Sequence, residues 1–196
     1  QPDLALRPYP ASLCVSVNDE IVHGIPNERE KIFKEGDVVG LDIGLSHKKM
    51  IVDMAVTVPV GRIDGAAEKL LRATEEALAV GIKAAQGGAR VGDIGAAIQA
   101  FVKPHGYGIV RELAGHGVGY AVHEEPYVPN YGKRNTGPIL KPGMVIAIEP
   151  MLNEGTADVV LDEDGYTFRT ADGKRSAHFE HSILITDGSA EILTAL

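Results

Sequence analysis

The chain has 196 residues, with 19 Lys and Arg against 27 Asp and Glu, so its formal net charge is −8. That charge argues against nucleic acid as the main partner, because phosphate binding requires a basic surface. Hydrophobic residues make up 44% of the chain, which is enough for a substantial core, and no apolar run reaches the roughly 18 residues of a membrane span. We therefore expect a single domain over residues 1–196 and no membrane partner. Cys14 is the only cysteine, which excludes a disulfide framework and favours the cytoplasm.

The predicted elements alternate in blocks rather than one by one. Residues 1–11 are Pro-rich and are expected to be extended, and residues 23–26 are expected to form a loop. Hydrophobic patterning predicts strands, in chain order, at residues 13–17, 38–45, 50–60, 144–148, 158–161, 167–170 and 179–185. Helical spacing of apolar residues predicts two helices, at residues 66–86 and 94–103. Strands, then two helices, then strands again favour an α+β domain with helices packed on an antiparallel sheet.

Four carboxylates interrupt or border apolar strands. Asp42 and Asp53 lie within the two strands of a predicted hairpin, Glu149 follows Ile148, and Glu180 begins the last long strand. A single acid in such a position is more often an ion-pair partner or an edge residue. Four of them need compensation, because a buried carboxylate without a partner is costly. Few cations stand beside them in the sequence, so we interpret the four acids as ligands of a divalent metal.

One histidine has a context that favours a ligand. His116 is flanked by Gly115, Gly117 and Gly119, which allow the backbone to approach something bulky. His23 and His123 lie in loops, where functional histidines are common. The remaining four are expected to be solvated or structural: His47, His105, His178 and His181.

The proposed ligands form a set dominated by oxygen, with one nitrogen. Mn, Fe, Co and Zn accept such mixed ligands, whereas Mg or Ca would not need the imidazole. Bridging carboxylates could hold two ions about 3.5–4 Å apart.

Several segments resemble the type I methionine aminopeptidases, in the order and at the spacing of that family. The resemblance runs from about Ser12 to the C-terminus. The segments that carry it are Asn18 to Pro26, Leu41-Asp42-Ile43 with Asp53, Gly115 to Gly119 with His123-Glu124-Glu125-Pro126, Ile148 to Met151, and Phe179 to Ser182. Family members carry an additional N-terminal segment before the part that matches.

The resemblance implies a pita-bread fold, in which two pseudo-symmetric halves pack helices on a curved antiparallel sheet around a central metal cleft. It implies that two divalent ions (Co, Mn, Fe or Zn) are held by five ligands: Asp42, Asp53, His116, Glu149 and Glu180. It assigns catalytic roles to His23, His123 and Glu149. It also implies that His23, Val122, His123 and Tyr166 bind the substrate, with Leu6 to Pro10 near the methionine pocket. The family usually has larger aromatic residues at the positions of Val122 and Tyr166, so a wider pocket is expected.

The function implied is removal of the N-terminal methionine from nascent proteins and peptides with a small second residue. The expected setting is the cytoplasm, with a monomer acting on nascent chains at the ribosome. Three alternatives stay open: a proline-specific aminopeptidase P or prolidase, a non-catalytic module of the same fold, and a structural metal-binding protein.

Overall fold

The structure, a computed structural model, describes residues 8–195. Within that range the chain forms α1 (Gly65–Ala84), α2 (Val91–Val102), a 3-10 turn (Lys103–His105) and fourteen strands. The strands are β1 (Cys14–Val17), β2 (Glu20–Val22), β3 (Val38–His47), β4 (Met50–Pro59), β5 (Gly108–Ile109), β6 (Gly115–Gly117), β7 (Glu124–Val128), β8 (Val145–Ile148), β9 (Met151–Asn153), β10 (Val159–Leu161), β11 (Phe168–Thr170), β12 (Ser176–His178), β13 (Glu180–Leu184) and β14 (Glu191–Ile192).

Eight of these strands form one antiparallel sheet. Its order is β1-β3-β4-β13-β8-β6-β7, and β14 pairs with β13. The pairing of β13 with β4 on one side and β8 on the other joins the early strands to the late ones. Two three-stranded sheets, β10-β11-β2 and β12-β9-β5, flank it. Antiparallel pairing with two helices confirms the predicted α+β class.

The β3–β4 hairpin places two of the predicted ligands. The turn expected at residues 46–49, between the two predicted strands, is a two-residue turn at Lys48 and Lys49, whose φ angles of 47° and 70° are those of a type I′ turn. Asp42 pairs with Ala55, and Asp53 pairs with Gly44. Because residues opposite one another share a face, Asp42 and Asp53 are diagonal neighbours on the same face of the sheet.

The two helices pack on the sheet and bury its apolar face. Leu70 and Ala77 of α1 and Ile98 of α2 belong to one buried cluster with Ile146 and Ile183 of the sheet. Burial of the apolar surface of these residues contributes about 25 cal/mol per Å² and is the main favourable term that holds the helices on the sheet.

The helix ends differ from prediction by a few residues. Helix α1 begins after Asp64, whose carboxylate accepts hydrogen bonds from the backbone N–H groups of Ala66 and Ala67. Helix α2 begins three residues earlier than expected, because the Asp93 carboxylate accepts a hydrogen bond from the N–H of Arg90 and stabilises the extra turn. Side-chain capping of this kind is weakly visible in an apolar pattern.

Half of the strands in the described residues were not predicted. Seven strands lie outside the predicted set, and each has five residues or fewer: β2, β5, β6, β7, β9, β12 and β14. Residues 1–7 of the predicted extended segment lie outside the described residues, and residues 8–13 form neither helix nor strand. Within residues 8–195, neither helix is both long and apolar enough to cross a bilayer.

Candidate metal centre

Neighbouring strands of the large sheet carry the predicted ligands to one place. Asp42 and Asp53 lie on β3 and β4, and Glu180, at the start of β13, pairs with Ala55 of β4. Glu180 is therefore on the same face as the two aspartates. His116 is the central residue of β6, and Glu149 directly follows β8.

The five predicted ligands form one cluster. Asp53, His116 and Glu180 are all buried, and one ligand atom from each lies within 4.8 Å of the other two. Nε2 of His116 is 3.4 Å from Oε1 of Glu149. Asp42 faces Asp53 closely enough for their charges to interact. The structure thus brings all five together across 138 residues of chain, from residue 42 to residue 180.

The glycines around His116 allow close contact with neighbouring backbone. A Cβ atom on Gly115 would lie 2.3 Å from the carbonyl oxygen of Ala147, and one on Gly117 would lie 2.2 Å from that of Glu125. Nδ1 of His116 is 2.9 Å from the carbonyl oxygen of Gly117. If Nδ1 carries the proton and donates to that oxygen, Nε2 has a free lone pair for a metal.

The electrostatics of the cluster fit divalent cations. Burial and the charge of Asp53 raise the pKa of Asp42 to about 7. Burial also raises the pKa of Asp53. Burial and neighbouring carboxylates raise the pKa values of Glu149 and Glu180 well above their usual range. Burial lowers the pKa of His116 to about 4, which keeps the imidazole neutral at pH 7. Repelling carboxylates beside a neutral imidazole are relieved by cations.

An unpaired atom supports the same interpretation. Among the described residues, Oε1 of Glu180 is buried and accepts no hydrogen bond. Native proteins rarely leave a buried carboxylate oxygen without a partner. A ligated cation would satisfy it.

The cluster opens onto a cavity of about 840 Å³. Asp42 and Asp53 form part of its wall, together with the loop histidines His23 and His123. The ring of His123 lies 4.4 Å from that of His116, in an edge-to-face arrangement.

His23 is held in an unusual backbone conformation. Its φ of 59° is in the left-handed region, which a non-glycine residue adopts at some cost. Hydrogen bonds of the next residue, Gly24, hold the backbone here. Its N–H donates to Oγ of Ser16, and its carbonyl oxygen accepts from the Tyr9 hydroxyl. Desolvation in the cavity wall and the nearby His123 lower the pKa of His23 to about 4.

The rest of the cavity wall is mainly apolar. Val122 and Tyr166 line it, where the resemblance placed them. Phe168 adds a further aromatic ring, and the ring of Tyr9 meets that of Tyr166 edge to face at 5.3 Å. Leu6, which was expected near this pocket, lies outside the described residues.

Sequence reasoning did not identify Cys14 as a wall residue. Cys14 also lines the cavity, and it pairs with Asp42 across β1 and β3. A residue facing a ligand across two adjacent strands could have been found only once that register was known.

The four histidines set aside in the sequence have different environments. His47 and His105 are exposed, as expected. Nδ1 of His181 is 2.8 Å from Oγ1 of Thr194, a structural contact. His178 is not solvated: it is 3% exposed, and its Nε2 faces two of the predicted ligands. The nearby Glu180 gave no sign of this in the sequence, because the position of the His178 ring depends on how β12 packs.

Comparison with known proteins agrees with this geometry. The model of Metallopeptidase family M24 matches residues 3–187. A methionine aminopeptidase of Aquifex aeolicus is 50% identical over 192 residues, which is 96% of this chain and 73% of that protein. The crystal structure of a methionine aminopeptidase from Thermotoga maritima is 49% identical with a TM-score of 0.91, and the match covers 94% of this chain and 74% of that one.

A more distant structure shares the architecture alone. The prolidase from Pyrococcus horikoshii is 24% identical, with a TM-score of 0.75 over 94% of this chain and 48% of that one. These structures have the pita-bread fold, so that expectation is confirmed. The chain belongs to the metallopeptidase family M24 and, within it, to the methionine aminopeptidases.

Proposed function

We propose that this chain hydrolyses the peptide bond after an N-terminal methionine, in nascent proteins and peptides with a small second residue. The observation that carries the proposal is the position of the acid and histidine cluster at the wall of a largely apolar cavity. Charged side chains beside a mainly apolar wall suit a substrate with a free α-amine and an apolar side chain.

The ligand set supports two divalent ions rather than one. We assign Asp42, Asp53, His116, Glu149 and Glu180 as their ligands, with Co, Mn, Fe or Zn as candidates because the set mixes nitrogen with oxygen. Bound there, the ions would supply Lewis acidity, which polarises a carbonyl and lowers the pKa of a water molecule.

The apolar wall would receive the methionine side chain. Tyr9, Tyr166 and Phe168 offer aromatic rings, and Val122 adds an aliphatic surface. A thioether makes favourable contacts with aromatic rings, worth about 0.3–1.5 kcal/mol each. These residues would therefore select methionine by packing rather than by charge.

The polar side chains of the wall would handle hydrogen bonds and protons. His123, exposed to the cavity beside His116, would donate an N–H to the scissile carbonyl oxygen as charge develops there. His23 would donate to the region of the scissile amide nitrogen. Both pKa values are lowered, so both histidines are neutral donors at pH 7. Glu149 would take on one carboxylate oxygen the proton given up by the attacking water, and would pass it to the leaving amine.

We further propose that the protein acts in the cytoplasm as a monomer and meets its substrates as nascent chain N-termini at the ribosome. The single cysteine suits a reducing compartment. Sedimentation at increasing concentration would test the monomer, and co-sedimentation with ribosomes would test the contact.

A direct assay tests the activity. The metal-loaded protein should release methionine from Met-Ala-Ser and should not cleave the dipeptide Ala-Pro, which a prolidase would cleave. Cleavage of Ala-Pro but not Met-Ala-Ser would replace the proposal with proline-specific hydrolysis. Tight metal binding without cleavage of either peptide would favour a non-catalytic or structural metal protein.

A further inference from the structure

His178 is a buried histidine whose ring nitrogen points toward two carboxylates. It ends β12 and is 3% exposed. Its Nε2 lies 3.6 Å from Oε2 of Glu149 and 3.9 Å from Oε2 of Glu180. Among the described residues, this nitrogen has no hydrogen-bond partner. A buried polar atom without a partner costs free energy, so its position calls for a reason.

The backbone of His178 is fixed independently of its ring. Its N–H donates to Oγ1 of Thr57 at 2.9 Å, and the Thr57 hydroxyl donates to its carbonyl oxygen at 2.8 Å. Thr57 lies on β4, the strand that carries Asp53. This pair of bonds ties β12 to the sheet that holds the ligands and keeps the imidazole beside them.

Two imidazoles face the two oxygens of Glu149. Nε2 of His116 is 3.4 Å from Oε1, and Nε2 of His178 is 3.6 Å from Oε2. If His116 and Oε1 share a cation, Oε2 is left facing His178. A ligating carboxylate is commonly oriented by a hydrogen bond to its other oxygen, and loss of such a bond typically weakens metal binding about 10–100-fold.

We propose that His178 is a positioning residue of the metal centre. When a cation is bound, the Nε2–H of His178 would close the 3.6 Å separation, donate to Oε2 of Glu149 and orient that carboxylate toward the cation it shares with His116. The proposal deepens the proposed function and rests on its assignment of Glu149 and His116 as ligands. His178 does not contact the substrate cavity in this role, and it acts on the reaction only through Glu149.

The test compares side chains that keep or lose the donor. The side-chain amide of Gln can place an N–H donor near the position of Nε2 of His178 but is a poor metal ligand. Leu fills a similar volume and has no donor. We expect His178→Gln to keep wild-type metal stoichiometry and an affinity within about threefold of wild type. His178→Leu should bind one of the two ions about 10–100-fold more weakly. Each variant is first stripped of metal with a chelator and is then titrated with Co. Calorimetry and the visible absorption of the bound ion monitor the titration.

Controls separate positioning from folding. His181→Gln makes the same substitution at a half-buried histidine that contacts Thr194 rather than the carboxylates, and it should leave Co affinity unchanged. If His178→Leu does not fold, His178→Asn replaces it, because its amide is too short to reach Glu149 and should weaken Co binding as Leu would.

Two outcomes overturn the proposal. Wild-type Co affinity in both the Leu and Asn variants would show that His178 does not orient Glu149. Loss of one ion in the Gln variant as well as the Leu variant would make His178 a direct ligand. Neither measurement uses catalysis, so absence of Met-Ala-Ser cleavage by the wild-type protein would refute the proposed function while leaving this test intact.

Discussion

His116 and His123 lie seven residues apart and their rings are in contact, yet their surroundings differ. His116 is buried, and its Nδ1 contacts the backbone oxygen of Gly117, whereas His123 is exposed to the cavity. The first arrangement fixes a ring for ligation, and the second leaves a ring free to meet a substrate.

These differences predict different effects for the two alanine variants. His116→Ala should lose one of the two proposed ions. His123→Ala should keep both, while kcat and kcat/KM fall together by about 10²–10³-fold, because an interaction made only in the transition state is lost. Metal analysis beside Met-Ala-Ser kinetics checks both. Metal loss or wild-type kcat in the His123 variant would reverse this division of roles.

A second prediction concerns the buried acids. Asp53→Ala or Glu180→Ala should abolish cleavage and lower metal content, since each removes a carboxylate from the centre of the cluster. Asp187→Ala, at an exposed acid in the loop after β13, is the matched control and should change neither. Full activity with intact metal content in the Asp53 or Glu180 variant would remove that residue from the ligand set.

The clustered acids were predictable at this scale, whereas the position of His178 beside them was not. Asp42 and Asp53 stand out in a sequence because a carboxylate in an apolar strand is costly and therefore informative. His178 does not stand out, because its position depends on two hydrogen bonds to Thr57, 121 positions away along the chain. No local pattern encodes such a contact.

Among the elements, β6 shows how tightly the sheet constrains the centre. It pairs with both β7 and β8, and its two glycines leave no space for a Cβ beside the neighbouring carbonyls. The strand is only Gly-His-Gly, too short for alternation to reveal it. Sequence patterning identified the long hairpin β3–β4 and the two helices for the opposite reason, since their periodicity extends over many residues.

Gly117→Ala should therefore destabilise both the fold and the centre. The added Cβ would lie 2.2 Å from the carbonyl oxygen of Glu125, so β6 and β7 must separate and His116 must shift. We expect the free energy of unfolding to fall by about 1–3 kcal/mol, with weaker metal binding. Denaturant unfolding with and without metal measures both effects.

Gly65→Ala serves as its control. A Cβ on Gly65, the first residue of α1, would meet nothing within 4 Å, and Ala is the better helix former. Its stability should be unchanged or slightly higher. Equal stability of the Gly117 and Gly65 variants would show that β6 can move away from β7 without lowering the free energy of unfolding.

For the molecule as a whole, the cluster links metal binding to stability. Removing cations leaves repelling carboxylates inside the sheet, so chelation should lower the melting temperature and added Mn or Co should restore it. At a free metal concentration 100 times Kd the gain is about 2.7 kcal/mol for one site. A melting curve that does not move when a chelator demonstrably strips the metal would contradict a centre of this kind.

The raised pKa values give this linkage a pH dependence. In the metal-free protein, burial raises the pKa of Asp42 from 3.8 to about 7. Protonated Asp42 therefore stabilises the fold below pH 3.8, and that contribution is lost as pH rises to about 7. Cations require the ionised carboxylate, so protons compete with metal below about pH 7. His116, with a pKa of about 4, does not compete in that range.

Metal affinity should consequently fall between about pH 8 and about pH 5, with more protons released per ion at the lower pH. Calorimetric titration in two buffers of different ionisation enthalpy counts those protons. Absence of proton release at both about pH 6 and about pH 8 would mean that the carboxylates are already ionised before metal binds.

The central position of β13 in the large sheet determines when the strands of that sheet can all pair during synthesis. The strand lies between β4 and β8, yet almost everything it joins precedes it in the chain. During synthesis from the N-terminus, β3 and β4 can pair at once, but the two groups of strands have no shared neighbour until residues 180–184 leave the ribosome. Glu180 arrives with that strand, so the sheet closes and the last of the proposed ligands is supplied in the same late event. An emerging chain that has not reached Glu180 should hold no complete metal centre, and peptidase activity should begin only after residues 180–184 have been translated.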